Sequence, residues 1–183
     1  GELSRIGFRG THPERLSPPH AYVEVHVEQG PILDAAAMEL GVVTGVQAIS
    51  WRELTISGRS AHAGTTPMRL RRDAGLAAAR IDVKLDEMAR SGRYGPEMRA
   101  TMGRLEVWPG RVNVVPSRVI ATADLRNPSD EGMARAEADL DAFLTSLAAE
   151  LGVEIRWRQT AKTAHVPFSP AIQAVITRHV SAL

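Results

Sequence analysis

The sequence contains no cysteine. That excludes a disulfide framework, a thiolate zinc site and a cysteine nucleophile, and it is compatible with a cytoplasmic home. Aromatic residues are scarce: three Trp, three Phe and two Tyr make up 4% of the 183 residues. A stacking surface for single-stranded nucleic acid is therefore not expected. No apolar run approaches the roughly 18–20 residues needed to cross a bilayer, and the opening GELSRIGFRG lacks the apolar core of a signal peptide. Neither sign of charge dominates. Lys and Arg total 22 against 21 Asp and Glu, a net charge of +1, and a pI of 8.5 gives little support to a nucleic-acid partner. The basic cluster Arg69, Arg71 and Arg72 reads as a solvated turn before a helix. The G-x-G-x-x-G, P-loop and H-E-x-x-H patterns are also missing. What remains, 44% hydrophobic and 23% charged residues, is ordinary for a soluble globular protein.

Periodicity divides the chain. Residues 1–20 are rich in Gly and Pro and read as loop. Residues 22–28, YVEVHVE, alternate, which predicts a strand with Val23, Val25 and Val27 on one face and Glu24, His26 and Glu28 on the other. Gly30-Pro31 ends it, and proline suits a first helical turn, so a short helix is expected through Leu40. From Val46 the pattern becomes regular. Strands are expected over 46–57, 98–107, 118–125 and 153–160, and helices over 72–90 and from Ser129 to Leu151. Ala74, Ala77, Ile81, Leu85 and Met88 form one helical stripe; Met133, Ala136, Leu140, Leu144, Leu147 and Leu151 form the other. Ser129 is placed to cap the second helix and Gly152 to stop it. The order is β-α-β-β-α-β, with one apolar face per helix. Both helices should therefore cover one side of a four-stranded antiparallel sheet, an α+β, ferredoxin-like two-layer sandwich over residues 46–160. The flanks, 1–45 and 161–183, cannot bury their own apolar faces and read as incomplete pieces of another domain, the second being the linker AKTAHVPFSP and a helix.

Several residues can carry chemistry. His26 lies between two carboxylates on one strand face, and histidine with nearby carboxylates is a common metal-ligand arrangement. His62 sits in a loop of small and hydroxyl residues that can approach a ligand closely. Asn113 lies between Gly110 and Pro116, and its amide both donates and accepts. Arg126 ends a strand and can clamp a carboxylate in bidentate fashion. Taken alone, each reads first as an ordinary polar residue. The spacing of Asp124 and Asp130 suggests no shared site.

Taken together, the strings HVEQGPILD (26–34), GVVTGVQ (41–47), SGRSAHAGTTPMRLRRDA (57–74), GRVNVVPS (110–117) and ADLRNP (123–128) are distinctive. They resemble the N-carbamoyl-L-amino-acid hydrolase, allantoate amidohydrolase and β-ureidopropionase group of the M20 peptidase-like superfamily, over nearly the whole chain. The resemblance implies a metal-bearing catalytic domain interrupted by a βαββαβ lid that also dimerises. It implies that His26 is a metal ligand and that Gln29 lies close to metals and substrate. It implies that His62, Asn113 and Arg126 bind substrate at the active site of a partner subunit, with Arg126 on the substrate carboxylate and His62 and Asn113 at the scissile carbonyl, where His62 is the catalytic candidate. Two zinc or manganese ions per active site would activate the water that attacks a ureido group. The other metal ligands and the glutamate base match nothing here and are expected outside this sequence. No complete metal site is therefore expected in this chain.

The expectation is thus a fragment of an amidohydrolase, inactive alone, homodimeric, taking a small ureido-carboxylate substrate and neither nucleic acid nor membrane. The alternative is a stand-alone oligomerisation or ligand-binding module, since a βαββαβ fold does not by itself select a function.

Overall fold

The computed structural model describes residues 1–10 and 18–181. The chain divides into two units, Gly1–Gly41 and Val42–Leu183. In the first, α1 (Glu2–Arg5) is a single turn inside the stretch expected to be loop, and the 11–17 part of that stretch lies outside the described residues. The strand expected over 22–28 does not form: no ladder includes it among the described residues, and Val25 is 96% exposed. Alternation assigns side chains to two faces, but a strand needs a partner to hold it, and none lies among the described residues. The helix expected to reach Leu40 is the single turn α2 (Ile32–Ala35), and Ala37 has left the helical region with φ 53°. A one-turn helix carries the full nucleation cost. This one is held at its start by the Glu28 carboxylate, which accepts from the Ile32 and Leu33 amides at 2.8 and 3.0 Å.

The second unit is mixed α/β with antiparallel sheets. In order it holds β1 (Gly45–Val46), β2 (Ala48–Ser57), β3 (Ala61–His62), a 3-10 turn (Met68–Leu70) and α3 (Ala74–Arg90). There follow β4 (Arg99–Thr101), β5 (Leu105–Trp108), β6 (Val114–Val115), β7 (Arg118–Asn127) and α4 (Asp130–Leu151). It closes with β8 (Glu154–Thr163), β9 (Val166–Pro167) and α5 (Pro170–Val180). The main sheet runs β4-β7-β2-β8, with β5 also on β7. The single strand expected over 98–107 is therefore two, interrupted at Met102, Gly103 and Arg104. A glycine inside a strand has no side chain to pack and marks such breaks. Strand β8 outruns its expected end at 160 and carries a bulge: Trp51 pairs with Ala161 and Arg52 with Gln159, which leaves Thr160 without a rung. The Gln159 amide fills the bulge, donating to the Trp51 and Ala161 carbonyls at 2.9 and 2.7 Å. Part of the expected linker is also ordered, because β9 pairs with β1.

Both long helices lie where their stripes predict. Ala74, Ala77, Ile81, Leu85 and Met88 of α3 and Met133, Ala136, Leu140, Leu144 and Leu147 of α4 are buried in one core with Leu54, Ile56, Val119, Ala121 and Leu125 of the sheet. Full burial of each large aliphatic side chain is worth about 1.5–3 kcal/mol. Asp73 caps α3, accepting from Gly75 N, and Ser129 caps α4, accepting from Gly132 N. Gly152 ends α4 in the left-handed conformation, φ 61°.

The alternation of β2 sends Ser50 and Arg52 inward as well, and this the hydrophobic pattern did not reveal. Arg52 is 2% exposed. It donates to Asp141 at 2.6 Å, lies 3.8 Å from Glu137 and stacks 4.0 Å from the Trp157 ring centre. Burial alone would push the Glu137 carboxyl up. Hydrogen bonds from Lys162 and Ser50, with the charges of Lys162 and Arg52, together hold it below its ordinary value.

Candidate ligand-binding sites

One site is built where β2 leaves the sheet. The chain turns at Gly58, where a Cβ would stand 2.1 Å from the Arg72 carbonyl oxygen, so no other residue fits. The Gly58 amide donates to Ser117 O at 2.7 Å and the Arg59 amide to Arg72 O at 2.8 Å. These bonds aim the chain into a two-rung ribbon, β3 on β6, in which Ala61 pairs with Val115 and His62 with Val114. The Ala63 amide then donates to Asn113 O at 2.9 Å. His62 and Asn113 are thus neighbours on one ribbon, both exposed. The Gly64 amide donates to His62 Nδ1 at 3.1 Å. An N–H can only donate, so Nδ1 accepts and Nε2 carries the ring proton. The ribbon and its flank therefore carry an imidazole N–H and a carboxamide on adjacent rungs, each able to donate to an oxygen that gains negative charge.

Arg71 holds this loop from below. Its guanidinium donates to Ala63 O at 2.6 Å and to Thr66 O at 3.0 Å. Of the basic cluster read as a solvated turn, Arg69 and Arg72 are exposed, but Arg71 is half-buried. An arginine in a turn looks alike in sequence whether it points to water or to carbonyls, so no signal distinguished it.

Arg126 lies elsewhere. It is on β7, on the sheet face opposite the helices, with Ile49 and Arg99 as rung neighbours. Arg118 sits at the ribbon end of the same strand, and Arg126 is eight rungs farther along it, about 26 Å at ~3.3 Å per residue. Among the described residues, no hydrogen bond or ion pair joins Arg126 to His62 or Asn113. Its guanidinium is held instead by Asp124, Nε at 2.9 Å from Oδ1 and Nη2 at 2.9 Å from Oδ2, and this pairing raises the Arg126 pKa further. The Trp51 ring centre is 5.6 Å from Cζ.

In the first unit, His26 Nδ1 meets Glu24 Oε1 at 2.7 Å. Hydrogen bonds with Glu24 and then with Gln29 raise the His26 pKa above its ordinary value. Gln29 is left-handed, φ 55°, an uncommon conformation for a residue with a side chain. His26 and Gln29 are thus brought together, in a carboxylate–histidine arrangement like that of oriented metal ligands. Glu28 is taken up by the α2 amides. Among the described residues, no group of three His, Cys, Asp or Glu side chains gathers as a metal centre. The residues present fit one ligand and not a two-metal site. None of the described helices is long and apolar enough to cross a membrane.

Residues 44–152 match the M20 peptidase dimerisation domain family. The chain is 36% identical over 171 residues to an N-carbamoyl-L-amino-acid amidohydrolase from Rhizobium meliloti, covering 93% of this chain and 41% of that protein. It is 38% identical over 146 residues to a probable allantoate deiminase from Oryza sativa subsp. japonica, covering 72% and 29%. A crystal structure of an amidase of the hydantoinase/carbamoylase family from Burkholderia multivorans superposes with TM-score 0.91 at 39% identity, over 99% of this chain and 44% of that one. The chain thus spans less than half the length of each of these relatives.

Proposed function

This chain belongs to the M20 peptidase dimerisation domain family, among relatives that are amidohydrolases, and from that we propose that it is the dimerising, substrate-gripping part of an enzyme that cleaves the ureido C–N bond of N-carbamoyl-L-amino acids or related ureido acids. Residues 46–160 are the ferredoxin-like lid, and 1–45 and 161–183 belong to the catalytic domain it interrupts. Attack of water on a ureido carbonyl puts negative charge on its oxygen. His62 Nε2–H and the Asn113 amide are the donors for that charge, and Arg126 takes the carboxylate. The observation that carries this reading is the His62 ring, whose Nδ1 accepts from Gly64 N–H, one rung from Asn113 on the same ribbon.

The spacing of the two ends supports a shared site. A ureido acid separates its carboxylate from its ureido carbonyl by about 4 Å of covalent structure, whereas Arg126 is eight rungs from the ribbon end of β7. One substrate is therefore gripped by Arg126 of one copy and by His62 and Asn113 of another, in a homodimer, rather than by all three from a single partner subunit as the resemblance implies. In the full-length enzyme, His26→Ala is expected to lower bound zinc or manganese on elemental analysis, and unchanged metal content removes His26 from the ligand set.

The test is substrate profiling of the full-length protein against N-carbamoyl-L-amino acids, allantoate and β-ureidopropionate. Release of ammonia from at least one of them supports the reading; hydrolysis of peptides alone with none of them contradicts it. The 183-residue polypeptide by itself is expected to hydrolyse none.

A further inference from the structure

Arg126 does not stand alone on the open sheet face. Asp124 occupies the next outward position on β7, on the rung of Trp51 and Thr101. Its carboxylate takes the Nε and Nη2 edge of the guanidinium, at 2.9, 3.2 and 2.9 Å. Trp51 flanks the same guanidinium. Across the rung, Arg99 is engaged by its own acid, donating to Glu97 O and Oε2 at 2.8 and 3.1 Å. A guanidinium has two edges that accept a carboxylate in fork fashion, one through Nε and Nη2 and one through Nη1 and Nη2. Asp124 fills the first. Nη1 has no partner among the described residues.

We infer that Asp124 is a positioning residue for the substrate carboxylate: it holds Arg126 by its side edge so that the substrate is taken end-on, through Nη1 and Nη2. This rests on the reading of Arg126 as the carboxylate-binding group. Two effects of Asp124 oppose each other. Its negative charge repels an incoming carboxylate, and its hydrogen bonds hold a long, rotatable side chain in one place. Both side chains are about one-third exposed, Arg126 at 37% and Asp124 at 33%, so water screens the repulsion, while the two-point clamp acts at contact distance. Positioning therefore wins, and losing it weakens binding.

The experiment uses the full-length enzyme with Asp124→Asn, Arg126→Ala and the double variant, each assayed on an N-carbamoyl-L-amino acid and on its neutral carboxamide. Asp124→Asn is expected to raise KM for the acid about tenfold with kcat within about twofold, because the bond lost is made equally in ground and transition states. It should hardly alter the carboxamide, and it should add nothing in the Arg126→Ala background. An unchanged or lowered KM for the acid overturns the inference, as does an equal loss on acid and carboxamide. The Arg126 reading fails separately, if Arg126→Ala weakens acid and carboxamide alike. Should Asp124→Asn not fold, Asp124→Glu keeps the charge and displaces it by one methylene. It is expected to raise the acid KM severalfold, and no rise overturns the inference.

Discussion

The His62 ribbon and the Arg126 face are both parts of the second unit, but they are held by different means. The ribbon is two rungs long and is fixed by backbone bonds, by Gly58 packed against Arg72 and by Arg71 on two carbonyls. Arg126 stands on a ten-residue strand paired on both sides, and a side-chain clamp orients it. The ribbon rests on two rungs and its braces, whereas Arg126 is carried on a strand with pairing on both sides. That division suits groups with different tasks. Donors aimed at a developing oxyanion act in the transition state, and a carboxylate clamp acts throughout binding.

The largest expected effects test this division directly. In the full-length enzyme, His62→Ala should lower kcat by about 10²–10³-fold, the usual loss for one oxyanion donor, with KM little changed. Arg126→Ala should appear chiefly in KM for the acid substrate. Steady-state kinetics on the two variants separates these outcomes, and a KM effect for His62→Ala would erase the distinction. Next, Arg52→Ala should destabilise the second unit by about 3 kcal/mol, because Glu137 and Asp141 lose a buried partner. Urea unfolding measures this, and a cost below 1 kcal/mol would show that Lys162 alone suffices for Glu137.

The smallest effect concerns pH at the Arg126 end. Tyr94 is 3% exposed and donates to Asp139 at 2.7 Å, and its carbonyl accepts from Asn127, next to Arg126. Burial, then the bond to Asp139, pushes its pKa up to about 12 from an ordinary value near 10. The folded state therefore holds this proton more tightly. Its contribution, about 3 kcal/mol, is complete below pH 10 and is lost as pH rises from 10 to 12. Melting temperature against pH should show this decline in the wild type and not in Tyr94→Phe.

The sequence made the layered part of the fold legible because burial there is periodic. The stripes of α3 and α4, the Ser129 cap and the Gly152 stop all follow from local patterns with a tertiary partner to satisfy. The same alternation over 22–28 misled, because no partner strand lies among the described residues. The named residues of the site were visible as motif strings, and the ribbon that joins His62 to Asn113 fits their loop settings. Their support was not visible. Arg71, Arg52 and Asp124 are ordinary charges in sequence, and only geometry tells whether each meets water, a carbonyl or another charge. Asp124 was read against Asp130, and its partner is Arg126, two residues on.

On the proposed function, one substrate draws on both ends of this unit from two copies. Mixing full-length Arg126→Ala and His62→Ala subunits, unfolded and refolded together, tests it most directly. If the ends serve one site across the dimer, each mixed dimer pairs the two defects in one site and leaves the other intact. Assayed at substrate far below the raised KM of Arg126→Ala, where both parents are nearly inactive, activity then recovers to about a quarter of wild type, since half the dimers are mixed and half their sites are whole. If both ends act from the same copy, every site carries one defect, and the mixture stays as inactive as its parents.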